Sequence, residues 1–203
     1  MNKTAITVII IVIVIVIAII GLVYWQSNNN GTLANNTASS TYDQTQAQPI
    51  QQGVLVGGAY MTPDRDIVQN AMNASNVTTL VAAVSAAGLA PTLEGVGPFT
   101  VFAPNNDAFA KLPAGTVQTL LKPENKAKLA DILTYHVVAG RYTAADLHDG
   151  QVLTSVEGKP LTIGKSATGQ ITVNGTATVE TPDVISSNGV TFVIDSVLTL
   201  PAK

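Results

Sequence analysis

The amino-acid sequence predicts an α+β domain that follows an apolar N-terminal helix and a polar linker. Residues 5–25 are apolar and carry no charged side chain. From about residue 66 to residue 135 the chain shows helical patterns interrupted by one strand, whereas after Gly150 it consists of short alternating runs separated by glycine-containing turns. Helices first and a hairpin sheet afterwards indicate an α+β arrangement and not a parallel α/β sheet.

The first 25 residues are predicted to form one transmembrane helix. A helix over residues 5–25 would be about 32 Å long, which matches the roughly 30 Å of a bilayer's hydrocarbon core. Tyr24 and Trp25 end the run, where aromatic side chains favour the membrane interface. A signal peptide is the competing interpretation, but its apolar region usually spans about 7–15 residues and ends at a small-x-small cleavage site. We therefore expect an uncleaved anchor.

Charge sets the expected orientation of this helix. Lys3 and the amino terminus precede it, and no Lys or Arg follows it until Arg65, so the remainder is expected outside the cytoplasm. The predicted location is the cell membrane, single-pass, with the domain facing the periplasm or extracellular space. Residues 26–56 are rich in Asn, Ser, Thr, Gln and Gly and show no periodicity, which predicts a flexible linker. The domain is predicted to span residues 57–203.

Composition argues against several functional classes. The chain has no cysteine, which excludes disulfides, thiolate nucleophiles and zinc–thiolate sites. Its net charge is −3 and it lacks a basic cluster, so we expect no nucleic-acid partner. Neither a Gly-x-Ser-x-Gly elbow nor a phosphate-binding loop occurs, and two histidines are too few for a histidine-based metal site. We therefore predict a binding protein that is not an enzyme and has no cofactor or metal.

The domain is predicted to begin with two helices. Residues 66–72 fit a short helix. Ser75 or Asn76 is expected to cap a second helix that runs to Ala87, and Gly88 is expected to end it. The apolar face of this second helix should belong to the core.

A strand and three further helices are predicted next. Residues 99–103 alternate and are β-branched or aromatic at several positions, and Pro104 ends that strand. Asn105 or Asn106 is expected to cap a short helix. Residues 114–121 and a longer segment entered by Pro123-Glu124 complete the helical set.

The remaining chain is predicted to form strands. Residues 135–138 fit a strand after the long helix, and Thr143 with Asp146 resembles a capping box for one helical turn. Asn174-Gly175 is the clearest hairpin turn, because both residues accept the positive φ of a type I′ turn. The further strands are predicted at residues 152–156, 161–163, 171–173, 176–179 and 190–198.

Three strings, in this order, resemble the motifs of the fasciclin (FAS1) domain family. They are GPFTVFAPNNDAF at residues 97–109, ILTYHVV at 132–138 and SNGVTFVIDSVL at 187–198. The resemblance covers about residues 57–201, and residues 57–63 are similar to compact single-domain bacterial members that are secreted or displayed at the surface. It implies a FAS1 β-wedge of about seven strands with a helical layer.

The resemblance also implies a function in adhesion or matrix binding. The implied partners are a cell-surface protein or polysaccharide, and homotypic association is a further option. A different class of function is also open, namely a carrier of a small apolar ligand, such as a lipid or carotenoid, in a cleft between helices and sheet. An open apolar pocket would favour the carrier, whereas a filled core with a flat polar face would favour adhesion.

Two segments are candidate adhesion sites. Tyr135 and His136 correspond to the family's Tyr-His motif, and the imidazole is either a recognition group or a buried residue that bridges backbone groups. The segment Pro182, Asp183, Val184 and Ile185 is similar to an Asp-Ile-type adhesion motif, with Val184 in place of the usual Ile. Its alternative role is structural, with Pro-Asp turning the chain and the two aliphatic residues filling the core.

Phe192 is a departure from the family pattern. Family members commonly carry histidine at this position, within a strand that this chain writes as VTFVI over residues 190–194. The substitution makes the strand more apolar and argues against any site built on a pair of histidines.

Overall fold

A computed structural model describes residues 53–200 of the 203-residue chain. The predicted transmembrane helix and residues 26–52 of the predicted linker lie outside the described residues. Among residues 53–200, no helix has the length and apolar character that a membrane crossing requires.

The described chain opens with a small antiparallel hairpin. Its strands are β1 (Val54–Val56) and β2 (Ala59–Met61), which pair with Leu55 opposite Tyr60. Gly57 and Gly58 join them with φ values of 55° and 82°, a region that glycine enters without steric cost. Strand β1 thus lies three residues ahead of the predicted domain start, because a run of three residues carries too little alternation to mark a strand.

Six α-helices and one 3₁₀ turn lie between the hairpin and β4. Asp66 caps the first helix through the backbone N–H of Gln69, and Gly88, with φ 73°, ends the second. Asn105 caps the fourth by accepting from the N–H of Ala108. The bounds are α1 Ile67–Asn73, α2 Thr78–Ala87, α3 Ala90–Leu93, α4 Asn106–Ala110, α5 Thr116–Leu120, the 3₁₀ turn Pro123–Asn125 and α6 Lys126–Tyr135.

The N-terminus of α2 differs from the prediction. Its capping residue is Val77, and neither Ser75 nor Asn76 caps it. Instead, the side-chain oxygen of Asn106 accepts from the N–H of Thr79 at 3.0 Å, across 27 residues of sequence. A cap from a distant part of the chain satisfies the same exposed N–H groups but leaves no local sequence signal.

Seven strands form one curled sheet. Their order is β4-β3-β9-β8-β7-β6-β5, and all neighbours are antiparallel except β3 and β9, which run parallel. Val138 forms a bridge with Ser155, so the two ends of the sheet approach each other. The bounds are β3 Phe99–Pro104, β4 Val137–Ala139, β5 Val152–Thr154, β6 Pro160–Lys165, β7 Ile171–Val173, β8 Ala177–Ser186 and β9 Gly189–Ile194.

The predicted hairpin and one predicted strand have different outcomes. Asn174 and Gly175 have φ values of 54° and 67°, and the N–H of Thr176 donates to the carbonyl of Val173, which confirms the turn. The strand predicted over residues 135–138 begins two residues later, because α6 continues through Tyr135. The α+β fold is confirmed, and the sheet is mixed.

Two apolar clusters form the core. The first lies where the helices cover the sheet and includes Leu80, Leu133 and Val184. The second is enclosed by the curled sheet and includes Phe102 and Phe192. Strands alternate their side chains between faces, so the central strand β9 supplies both clusters. Its Val193 belongs to the first cluster, and its Phe192 and Ile194 belong to the second.

Candidate binding sites

His136 lies at the junction of α6 and β4, in the interior of the domain. Its Nε2 accepts from the backbone N–H of Leu198 at 2.9 Å, and its Nδ1 lies 2.7 Å from the carbonyl oxygen of Ile132. A backbone N–H can only donate and a carbonyl can only accept, so the proton resides on Nδ1 and the ring is neutral. The side chain is 2% exposed.

Burial also sets the charge state of this ring. Desolvation lowers the pKa of His136 to about 4, and the hydrogen bond to Ile132 opposes this only in part. The imidazole is therefore uncharged at neutral pH. Its contacts hold the segment after β9 against the end of α6.

Tyr135 is buried beside His136 and also makes interior contacts. Its hydroxyl donates to the carbonyl of Pro160 at 3.0 Å and accepts from Nδ2 of Asn174 at 2.9 Å. The Asn174 oxygen in turn accepts from the N–H of Thr162 at 2.9 Å. The chain of bonds ties α6 to β6 and to the β7–β8 turn. Neither ring of the Tyr-His motif faces solvent.

Strand β8 carries the second candidate motif on an irregular stretch. Thr181 pairs with Val193 and Val184 with Thr191, so three steps along β8 match two along β9. Such a bulge re-aims side chains without ending the strand. Asp183 has a φ of 54°, and its Oδ1 accepts from the N–H of Ala144 at 2.7 Å. The Pro-Asp pair forms a bulge inside the strand and not a turn that ends it.

The four residues of this motif divide between surface and core. Pro182 is exposed and Asp183 is half-buried. Val184 is 3% exposed and belongs to the helix-side cluster, whereas Ile185 packs against the cluster inside the sheet. The outward-facing part of the motif is thus the pair Pro182 and Asp183, which we call the β8 bulge surface.

The loop that Asp183 contacts is held by the predicted pair Thr143 and Asp146 and by Lys165, which the sequence did not indicate. Nζ of Lys165 donates to the carbonyls of Ala144 and Leu147 at 2.7 and 2.9 Å. Oδ2 of Asp146 accepts from the N–H and the hydroxyl of Thr143, and these bonds lower the pKa of Asp146. The predicted capping pair thus stabilises a turn that Asp183 also contacts. A lone lysine in a strand has no local signal for such a role.

The two candidate motifs do not form one site. His136 adjoins β4 and Asp183 lies on β8, and β3 and β9 separate these strands in the sheet. Within residues 53–200, no three His, Asp or Glu side chains come together in a way that could hold a metal ion.

Phe192 lies at the position where the resemblance to the family implies a histidine. Its ring stacks on Phe102 with centroids 5.5 Å apart, and both residues are fully buried. They face each other in the parallel register of β3 and β9. The departure therefore places an aromatic pair at the centre of the cluster inside the sheet.

An apolar cavity lies between α1–α3 and the sheet, with a volume of about 180 Å³. We call it the helix–sheet cavity. Met72 and Val156, 68% and 49% exposed, belong to its lining and mark its opening. Among the described lining residues, Glu94 is the one carboxylate, and no Lys or Arg is present. The apolar wall of the cavity includes Val68, Ala71, Leu80, Val84, Phe99 and Val101.

Asn188 is a further buried residue that positions neighbouring elements, and the sequence motifs did not indicate this role. Oδ1 of Asn188 accepts from the N–H of Ile67, and its Nδ2 donates to the carbonyls of Leu93 and Gly95. Three of its polar positions are therefore used at once, and they join the β8–β9 turn to α1 and to the end of α3. In the sequence, Asn188-Gly189 indicates only a turn.

Comparison with known proteins identifies the family of this chain. The Fasciclin domain model matches residues 75–201. Protein sll1483 of Synechocystis sp. is 48% identical over 161 residues, which cover 79% of this chain and 88% of the relative. Protein sll1735 of the same organism is 47% identical over 133 residues, 66% of this chain and 96% of the relative. A relative of that length consists almost entirely of the domain.

More distant similarities extend to bacterial and animal proteins. Immunogenic protein MPB70 of Mycobacterium bovis is 39% identical over 137 residues, 65% of this chain and 67% of the relative. A solved FAS1 domain pair from the insect cell adhesion molecule Fasciclin I has the same fold, with a TM-score of 0.61, 19% identity and coverage of 74% of this chain and 59% of that chain. The chain belongs to the fasciclin domain family.

Proposed function

We propose that this protein is a membrane-anchored fasciclin module that binds a cell-surface protein or polysaccharide outside the cytoplasm, without catalysing a reaction. The observation that carries the proposal is the β8 bulge surface. It presents an exposed proline beside a half-exposed carboxylate, whose Oδ1 accepts from the N–H of Ala144. The residues on either side, Thr181 and Val184, are paired with β9. A rigid polar group on a regular scaffold loses little conformational entropy when a partner binds.

The anchor and the linker support the same function. A helix over residues 5–25 would fix the protein at the membrane, and about 30 linker residues would give a reach of roughly 30 Å. Many anchored copies could make weak contacts sufficient through avidity. Carbonate extraction of membranes together with mass spectrometry of the mature N-terminus tests this part, and a mature chain that begins near Ser27 would contradict it.

A charge-neutral variant tests the binding part. Asp183→Asn keeps a side-chain oxygen that accepts from Ala144 and tolerates a positive φ, but it removes the charge. We expect immobilised fragment 48–203 to retain envelope polysaccharide or surface protein, and Asp183→Asn to reduce retention at least fivefold. Asp131→Asn, the same change on the exposed side of α6, is the control. Equal retention by both variants would contradict a role for Asp183, and no retention at all would contradict adhesion.

The helix–sheet cavity favours a second candidate function, the carrier of a small apolar ligand. Its volume of about 180 Å³ exceeds that of a roughly 150 Å³ apolar cavity that holds benzene, but is below the roughly 300 Å³ of typical ligand pockets. It could therefore enclose one ring or the end of a chain. Mass spectrometry of lipids retained from an extract tests this, with Ala71→Phe as the cavity-filling variant. Equal retention by wild type and variant would contradict it.

A further inference from the structure

A second apolar depression lies beside α6, next to the helix–sheet cavity. Helices α4, α5 and α6 and the segment 197–200 after β9 enclose about 280 Å³. We call it the C-terminal groove. Its volume is close to the lower end of the roughly 300–1,000 Å³ found for small-molecule pockets. Its half-buried apolar walls include Phe109, Leu112, Leu120, Ile132, Val197 and Leu200.

Among the described residues that line the C-terminal groove, Lys128 is the one with a charged side chain. Lys128 is exposed and lines the groove one helical turn before Ile132, so the two side chains share a face of α6. Among residues 53–200, the one ion pair within 4.0 Å is Lys111 with Asp195, and the ammonium of Lys128 has no carboxylate partner there. His136 also lines the groove, but its ring is neutral and its two nitrogens are occupied.

The groove and the helix–sheet cavity differ in electrostatics. They share a wall at Leu133 and His136. Among the described lining residues, the helix–sheet cavity has a carboxylate, Glu94, and no Lys or Arg, whereas the groove has one lysine, Lys128, and no carboxylate. Two neighbouring apolar sites with opposite charge at their edges are suited to different ligands.

We propose that the C-terminal groove binds the alkyl chain of a free fatty acid, with Lys128 contacting its carboxylate. The apolar walls supply the hydrophobic term, about 0.8 kcal/mol for each buried methylene. The single ammonium matches a ligand with one negative charge, and a phosphate monoester with a charge between −1.5 and −2 would be only partly neutralised. This site is distinct from the β8 bulge surface, and it shares only Leu133 and His136 with the helix–sheet cavity.

Lys126 provides a matched control for Lys128. It lies on the same helix and is also exposed, but its Nζ lies beside Gly88 at the end of α2, 3.2 Å from where a β-carbon would stand. It does not line the groove. Replacing either lysine by glutamine removes one charge from α6 and keeps most of the side-chain length.

The experiment is isothermal titration calorimetry of fragment 48–203 with sodium decanoate below its micelle concentration. The fragment contains every residue that lines the groove, and the family model matches residues 75–201 within it. We expect saturable one-to-one binding, a dissociation constant two- to fivefold higher in Lys128→Gln, and no change in Lys126→Gln. Decyltrimethylammonium, with the same chain and the opposite charge, should bind the wild type more weakly than decanoate does.

Methyl NMR spectra locate the ligand in the same titration. We expect decanoate to shift the methyl signals of Leu120, Ile132 and Leu200, and to leave those of Leu80 and Val84 in the helix–sheet cavity unchanged. Shifts confined to Leu80 and Val84 would assign the ligand to the other cavity and overturn the proposal. Absence of saturable binding, equal affinity for the two amphiphiles, or an equal effect of the two lysine variants would also overturn it.

Discussion

The imidazole Nε2 of His136 accepts a hydrogen bond from the backbone N–H of Leu198, 62 residues further along the chain. The bond joins the end of α6 to the segment that follows the last strand of the sheet. Leu198 is 1% exposed, so its N–H has no access to water as an alternative partner. The histidine of the Tyr-His motif therefore fastens the C-terminal segment of the domain to the end of α6.

Removal of this ring should destabilise the domain. In His136→Ala, the buried backbone groups of Ile132 and Leu198 both lose their partner, at about 1–3 kcal/mol each, and a cavity is left. We expect the free energy of unfolding of fragment 48–203 in urea to fall by about 3 kcal/mol or more. His148→Ala, at the exposed second histidine, should change it by less than about 0.5 kcal/mol. A His136→Ala variant as stable as the wild type would contradict the structural role.

The same histidine should make stability depend on pH. The pKa of His136 is about 4 in the folded protein, compared with 6.5 for an unburied histidine, as in the unfolded chain. Between these values the unfolded chain binds the proton and the folded one does not, so stability is complete above pH 6.5 and falls as the pH decreases toward 4. The full loss is about 3 kcal/mol. Urea unfolding at several pH values measures it.

A second variant, His136→Gln, separates the pH dependence caused by His136 from that caused by carboxylates. Desolvation is the largest single effect on the pKa of Asp195, and it raises that pKa. Hydrogen bonds from Thr178, Ser196 and Lys111 together lower it by more, so the pKa lies below its ordinary value. Its protonation destabilises the fold below its ordinary pKa near 3.8. His136→Gln should therefore abolish the slope between pH 6.5 and 4.5 and keep the one at lower pH. An unchanged slope in His136→Gln would show that another group titrates.

Asp183 should be replaceable by asparagine but not by alanine. Alanine loses the bond to Ala144 and pays about 1–2 kcal/mol for the left-handed backbone conformation, whereas asparagine keeps an acceptor and tolerates that conformation. We expect Asp183→Ala to lower the free energy of unfolding by about 2 kcal/mol and Asp183→Asn by less than about 0.5 kcal/mol. Thermal denaturation of the two variants side by side decides, and equal stability would argue against a constrained bulge.

Phe192→His should be costly for the stability of the domain. The imidazole would enter the cluster beside Phe102 without a described polar partner, and the aromatic stack would be lost. We expect a loss of about 2–4 kcal/mol in unfolding free energy, measured by urea denaturation. Phe192→Leu, which keeps an apolar side chain, should lose less. A histidine variant more stable than the leucine variant would indicate that the neighbouring residues satisfy the ring.

Local patterns predicted most elements of the fold. Gly88 ends α2 and Asn105 caps α4 as expected, because such signals act over three or four residues. The positive φ values at Asn174 and Gly175 follow for the same reason. The cap of α2 by Asn106 was missed, since a residue 27 positions away replaces the local one.

The candidate sites depended more strongly on tertiary structure. The motif around Asp183 was visible in the sequence, but the bulge arises from a register mismatch between β8 and β9, which belongs to the pair of strands. Lys165 had no sequence signal, because its role is to contact carbonyls of a loop 18 and 21 residues away. Cavities likewise depend on how several elements fail to fill the space between them.

By itself, the sequence determined the α+β class, the family motifs and the order of helices and strands, and it predicts an anchor in residues outside the described part of the chain. These follow from interactions between near neighbours in the chain and from composition, which a linear sequence displays directly. Only the tertiary structure decided that Tyr135 and His136 are buried, that Asp183 stands on a bulge and that Lys128 borders an apolar groove. Burial, register and charge environment are set by residues far apart in sequence, and they exist only once the chain has folded.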